Sequence, residues 1–399
     1  MTAIASSSLQ KDKLGIQLFG FMFAFYSSIF AAFIPIFFKQ QGFTDVQIGL
    51  IISVGTLAGI VQPVFGLLAD GKLDIRKVLN VNVTIIAMCF AGLLFGNDYF
   101  VVFFLIFIYN LFQAPNYSLI DNVVVRYSIQ SQTNFGVTRR YITLGWAISV
   151  MLVTPLITKF GGNAFLVICI FGAAMLLFFL NRAKIDFSNE RSKDEADAAE
   201  KGTFKKDLSE LVKNKEFILY VIFAATFVST WSLRQQYQSL LIYEYTQDPL
   251  YISIIQFTGI LFEVLLATWY AKAKNRIGTK NLYFIQMVLA IVMFLGYGLV
   301  DNVILIVIFS SIQGVVQAML VPSLVYAARE IVGSKLSNTA ILTTNSATSI
   351  CSFVIASVVL TPVFAIYGIQ AVYIALLGLI SLTAIPLLFI KIKDEKIAE

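Results

Sequence analysis

Ser118-Leu119-Ile120-Asp121-Asn122 closes a strongly apolar segment. After Val123 to Gln132 the chain continues Asn134-Phe135-Gly136-Val137-Thr138-Arg139-Arg140-Tyr141 and on to Gly145-Trp146. A carboxylate thus lies inside one apolar segment, and two arginines and a tryptophan stand at the start of the next. A charge at mid-bilayer costs about 2.5 to 3.5 kcal/mol on insertion scales, so it persists where a partner or a water-filled cavity receives it. Asp121 is therefore a functional candidate with Arg139 as its expected partner, provided that both segments cross a membrane.

Composition supports that condition. Of 399 residues, 58% are hydrophobic and only 13% charged, more apolar surface than a water-soluble domain hides. Apolar runs fall near 14–38, 46–68, 77–96, 99–122, 136–158 and 162–181. After a polar stretch from Arg182 to Lys215 they resume near 216–243, 250–271, 281–299, 303–327, 336–363 and 368–390. Runs of this length predict helices, whereas a membrane β-barrel would show short alternating segments. The expected fold is all-α, with twelve transmembrane helices in two six-helix pseudo-symmetric halves, 1–181 and 216–399, joined by a linker over 182–215. Pro35, Pro63, Pro115, Pro155 and Pro322 lie inside these runs, where membrane helices tolerate them. The aromatic stretch Tyr99 to Phe107 is expected to face lipid or to pack.

Charge sets the orientation. Of the 29 lysines and arginines, all but Lys39, Lys159 and Arg234 fall on loops that this topology places inside, or at their helix edges. Both termini and the linker are then cytoplasmic in a multi-pass protein of the cell membrane. The run Leu14 to Phe38 is too long for a signal-peptide core and lacks a small-residue cleavage site, so it is expected to remain as the first span. The net charge of +6 is accounted for by these loops, and no nucleic-acid partner is expected.

The residue inventory excludes most chemistry. There is no histidine, which removes imidazole as base, relay or metal ligand. Cys89, Cys169 and Cys351 all fall within apolar runs and are expected to pack rather than to form disulfides or hold metal. No cofactor, metal site or enzymatic activity is expected.

Gly66-Leu67-Leu68-Ala69-Asp70-Gly71-Lys72-Leu73-Asp74-Ile75-Arg76-Lys77, after the second run, resembles the Gly-x-x-x-Asp signature loop of the major facilitator superfamily. That resemblance implies gating roles for Asp70, Arg76 and Lys77, although Gly71 stands where a basic residue usually follows the acid. Ala271-Lys272-Ala273-Lys274-Asn275-Arg276-Ile277-Gly278 is the related loop of the second half, with Asn275 in the acid's place. Phe33-Ile34-Pro35-Ile36-Phe37-Phe38, Gln62-Pro63-Val64-Phe65-Gly66 and Phe135-Gly136-x-x-Arg139-x-Tyr141-x-x-Leu144-Gly145-Trp146-Ala147 are similar to the oligosaccharide:proton symporters, the lactose permease family. Gln235-Gln236 in the seventh run and Asn275-Arg276-Ile277-Gly278 extend the similarity.

The resemblance implies a sugar site with Asp121 and Arg139 as its acid and arginine and Trp146 as its stacking surface. It also matches Glu263 to a second-half acid, so Glu263 and Asp121 would carry proton coupling. Gln313 stands where that family has a histidine, and Gln235 belongs to the shared glutamine pair; both are assigned to substrate. Physical chemistry agrees: carboxylates and guanidinium forks hold hydroxyls in pairs, and an indole face suits the apolar side of a sugar ring. Tyr117 lies one turn before Asp121 on the same face and would narrow the site. Departures are equally plain: Val316 replaces an acid, and Trp231 and Arg234 replace the acids of the seventh run, leaving Arg234 as a charge partner for the remaining carboxylates.

The expected function is proton-coupled import of a small sugar or oligosaccharide by alternating access, in a monomer whose partners are solute, proton and lipid. The length following Glu263 also resembles that of phenylpropionate-type permeases, which keeps an aromatic acid open; a nucleoside is another small-solute alternative. Drug export is a further alternative. It is disfavoured because Pro155 follows Thr154 rather than a glycine, and Gly161 and Gly162 come too late.

Overall fold

A computed structural model describes residues 13–61, 75–131, 135–183, 208–267, 269–333 and 336–392. Every described element is helical, as expected where lipid offers backbone N–H and C=O groups no partner outside their own segment. The helices are α1 Lys13–Gln40, α2 Asp45–Leu57 with a tighter turn at Ala58–Val61, α3 Ile75–Phe95, α4 Tyr99–Ser131, α5 Phe135–Phe160 and α6 Ala164–Arg182. There follow α7 Lys215–Thr246, α8 Pro249–Ala267, the short α9 Tyr270–Ile277, α10 Thr279–Leu299, α11 Val303–Val332, α12 Ser337–Val354, α13 Thr361–Leu382 and α14 Ala384–Phe389.

Ten described helical stretches are long and apolar enough to cross a membrane, and α2 is a shorter apolar helix. One of the ten, Thr339–Phe389, is a double span broken at Gly368, whose backbone sits at φ 81°, ψ −176°. Counted apart, these elements match the twelve segments expected. Several boundaries differ by a few residues, and two of the differences bear on the site. Helix α4 runs nine residues further than the expected end at 122, since Val123 to Ser131 contains neither glycine nor proline. The eighth segment stops at Ala267, and the basic stretch after it forms the separate helix α9.

Short turns use the capping chemistry expected of them. Thr44 and Gln47 form a reciprocal capping box at the start of α2. The side chains of Asn214 and Asn302 accept backbone N–H groups at the starts of α7 and α11. Large apolar side chains that remain uncovered, such as Phe100 and Phe104 on α4 and Val167, Phe171 and Phe178 on α6, recur at helical spacing. They are the surface that a lipid-facing helix presents.

Packing divides the chain into two compact units, residues 1–43 with 61–190 and residues 44–60 with 191–399. In the first unit α1 packs against α5 and α6. A Cβ on Gly145 would come within 2.8 Å of the Phe21 carbonyl oxygen, so α5 lies directly on the α1 backbone. Phe30, Phe90, Tyr109 and Phe165 fill the interior, with Phe30 and Tyr109 centred 4.2 Å apart. In the second unit α8 and α11 form one close pair, and α10 packs on α11 and α13. Helix α2 packs with this unit, on α12 and α13, where Gly49 abuts the side chain of Thr361. By packing, helix α2 thus belongs with the second unit rather than the first.

Gly368 provides a test. Its φ and ψ are accessible essentially to glycine alone, so Gly368→Ala should destabilise the protein by about 1 to 3 kcal/mol. Gly378→Ala, at a site with no heavy atom within 4 Å of the added methyl, should be neutral or stabilising. Thermal unfolding of the two variants in detergent measures the difference.

Candidate functional site

One buried polar cluster of the second unit centres on Arg234. Helix α7 carries Trp231, Arg234 and Gln238 at positions i, i+3 and i+7, which is one face. Arg234 is 4% exposed, and its guanidinium lies 4.3 Å from the centre of the Trp231 ring. Nη1 donates to Gln313 Oε1 at 2.6 Å and Nε to the Trp231 carbonyl at 3.4 Å. Gln238 Nε2 donates to the same Gln313 oxygen at 3.1 Å and to the Tyr297 hydroxyl at 2.7 Å. Gln313 Nε2 donates to the Ile255 carbonyl on α8 at 3.0 Å. Trp231 is itself fixed by Nε1 donating to Gln317 Oε1 at 2.9 Å, and the Tyr373 hydroxyl donates to the Arg234 carbonyl at 3.1 Å.

Helix proximity makes this network possible. Gly314 on α11 faces the Gly259 carbonyl of α8 so closely that a Cβ would overlap it, and would come within 2.8 Å of the Glu263 backbone nitrogen. Gly259 in turn faces the Gln313 side chain. Two glycines therefore bring α8 and α11 together, pin Gln313 beneath Arg234, and place Glu263 one turn from the crossing. Glu263 is half-buried. Among the described residues no Asp or Glu pairs with Arg234: its hydrogen bonds go to neutral groups, so it is not the partner of Glu263 that the sequence suggested.

The first unit places Tyr117 and Asp121 on one face of α4, as their spacing requires. Tyr117 is 43% exposed and meets Phe23 edge to face at 5.2 Å. Asp121 is half-buried. One turn earlier, Gln113 is held by Tyr26, which donates at 3.0 Å, and by Ser27, which accepts at 2.8 Å. Asn116 accepts from Asn82 at 2.9 Å. Trp146 is half-buried on α5, beside the α1 contact of Gly145. The Arg139 side chain and all of Asp70 lie outside the described residues, and so does the expected Asp121–Arg139 contact.

The remaining sequence candidates take other places. Gln235 is half-buried on α7. Gln313, expected at the substrate, spends both ends of its amide within the protein. Arg76, expected at a gate, donates to the Ala183 carbonyl at 2.7 Å and so closes the C-terminus of α6. Next to it Asn80 and Asn181 exchange hydrogen bonds at 2.9 and 2.8 Å. Lys77 is exposed. In the second unit the loop after α8 supplies Lys274, which pairs with Glu330 of α11 at 2.5 Å with both side chains buried. Thr279 donates to the other Glu330 oxygen at 2.8 Å. Sequence reasoning missed this pair because Glu330 lies 56 residues beyond Lys274; it marked Gln313 as a substrate candidate but not as the partner of Arg234, and it passed over Tyr297 and Tyr373, because neutral side chains carry no signal of a distant charge.

These features define a polytopic membrane transporter. The MFS_1-like family matches residues 14–350, and the chain belongs to that family, of major facilitator type. It is 25% identical over 306 residues to the uncharacterized transporter YwbF of Bacillus subtilis (strain 168), covering 76% of this chain and 74% of that one. Its fold is that of the nucleoside transporter NupG, in a mutant form at TM-score 0.83 and 17% identity, covering 94% of this chain and 99% of that one. A POT family transporter crystallised with a thioalcohol-conjugated peptide gives TM-score 0.71 at 16% identity over 96% of each chain.

The two crossing glycines separate packing from function. Gly314→Ala drives a methyl into the α8 backbone and should destabilise the protein by about 1 to 3 kcal/mol. Gly259→Ala meets the Gln313 side chain first rather than backbone, so it should fold while losing the Arg234–Gln313 contact. Melting temperatures, with tryptophan fluorescence reporting on Trp231, check both outcomes.

Proposed function

We propose that this transporter couples inward proton movement to uptake of a small hydroxylated, ring-bearing solute, a sugar or a nucleoside, across the cell membrane. The observation that carries the reading is a half-buried carboxylate on a membrane helix in each unit, Asp121 on α4 and Glu263 on α8. Such groups are retained in membranes where they bind cargo or exchange protons. Asp121 and Arg139 hold hydroxyls, Trp146 and Tyr117 supply ring faces, and Glu263 takes the proton.

The sugar assignment rests on the motifs around Arg139 and Trp146. The nucleoside assignment draws on the fold shared with NupG, and a nucleoside offers the same chemistry, ribose hydroxyls beside a flat ring. Asp70, Arg76 and Lys77 belong to the cytoplasmic side, with both termini there, and the protein works as a monomer.

Reconstituted vesicles with an imposed inward proton gradient test the reading, using a labelled disaccharide, uridine and a dipeptide. Gradient-driven accumulation of the sugar or the nucleoside is expected. Glu263→Gln should remove the coupling between proton and solute, a loss of about 5- to 150-fold in gradient-driven accumulation, while leaving solute binding in place. Asp121→Asn should abolish binding. Unchanged accumulation in both variants, or accumulation of the dipeptide alone, would overturn the assignment.

A further inference from the structure

We infer that Arg234 receives a carboxylate carried by the transported solute. The inference rests on the reading of this chain as a solute carrier and goes beyond it by naming the charge class of the cargo.

Three features of the guanidinium lead there. Its positive charge is permanent, because arginine keeps its proton at any pH that a protein survives. The neighbours that hold it are neutral: Gln313 Oε1 accepts from Nη1, the Trp231 carbonyl accepts from Nε, and the Trp231 ring lies against its face. Its second terminal nitrogen, Nη2, donates to no described residue, and it is not among the side-chain atoms that are both fully enclosed and without a partner. The side chain is therefore oriented, nine-tenths buried, and still has N–H groups to offer.

The same unit treats another buried cation differently. Lys274, equally deep, has its own carboxylate in Glu330, which Thr279 also contacts. A charge removed from water needs a counter-charge, and for Arg234 the described protein supplies none. An anion that arrives and leaves with the cargo meets this need without locking the site. One uncompensated guanidinium balances one negative charge, which points to a carboxylate rather than a phosphate dianion. Gln313 and Trp231 hold the fork so that Nη2 approaches the carboxylate in a fixed direction, forming a charge-assisted hydrogen bond.

The test uses full-length protein in lipid nanodiscs, with tryptophan fluorescence and thermal shift as readouts. Each neutral solute is paired with its own carboxylate: D-glucose against D-glucuronate, and uridine against uridine-5′-carboxylate. Acetate alone serves as a free monoanion. In the wild type the carboxylate member of at least one pair should bind about tenfold or more tightly than its neutral partner. Arg234→Gln should erase that preference. Arg234→Lys, which keeps the charge without the planar fork, should retain part of it, and it preserves the test if the glutamine variant does not fold.

Equal or tighter binding of the neutral members to the wild type would overturn the inference. So would a preference that survives Arg234→Gln, or an effect of acetate as large as that of glucuronate. Proton-driven uptake of neutral sugar with no carboxylate preference would sink this inference and leave the transport reading standing. Arg234-dependent carboxylate binding without gradient-driven uptake would do the reverse.

Discussion

Arg234 carries a charge that no attainable pH removes, in a chain whose solvent is largely hydrocarbon, and the second unit is arranged around that fact. The α7 backbone cannot move the guanidinium to water, so neighbouring helices bring polar groups to it. Helix α11 contributes Gln313, α10 contributes Tyr297 through Gln238, and α13 contributes Tyr373 to the local carbonyl. A desolvated cation over an indole gains about 2 kcal/mol, which offsets part of the insertion cost while leaving the charge itself unbalanced. That imbalance makes the cluster a site rather than a structural knot.

The first unit handles its buried polarity in another way. Its ladder of Tyr26, Gln113 and Ser27, with Asn82 and Asn116 a turn away, is neutral throughout. It ties α4 to α1 and α3 and so sets the rotation of α4 about its axis. That rotation decides where Tyr117 and Asp121 point. Glycine does complementary work in both units: Gly145 brings α5 onto α1, and Gly259 with Gly314 brings α8 onto α11. Where apolar side chains are as comfortable in lipid as in protein, close backbone approach and hydrogen bonds supply the association that the hydrophobic effect supplies in water.

The helix ends show how similar sequence loops acquire different roles. In the first unit Arg76 caps α6 through the Ala183 carbonyl, and the reciprocal Asn80–Asn181 pair reinforces the same junction. In the second, Lys274 turns inward to Glu330 beneath Tyr326. One clasp uses a helix terminus as its acceptor and the other a full carboxylate, so the two halves of a repeated architecture hold their loops with unequal electrostatics.

Hydropathy alone determined that this chain is a bundle of membrane helices, since the length of an apolar run and the need to satisfy its backbone leave no other structure. It also marked Asp121, Glu263 and Arg234 as residues whose presence in such runs demands an explanation. Helix ends were less legible. Nothing in Val123 to Ser131 announces whether an apolar run leaves the membrane while the helix continues, whereas the parting of the last two runs between 363 and 368 was legible and coincides with the break at Gly368. The partners of Arg234 were decided by tertiary structure alone. Tyr297 and Tyr373 are ordinary residues in sequence, and Gln313, marked there only as a substrate candidate, meets the guanidinium because glycine contacts set how closely, and in what register, distant helices cross. Contacts between segments 60 to 140 residues apart depend on that geometry, which no local pattern encodes.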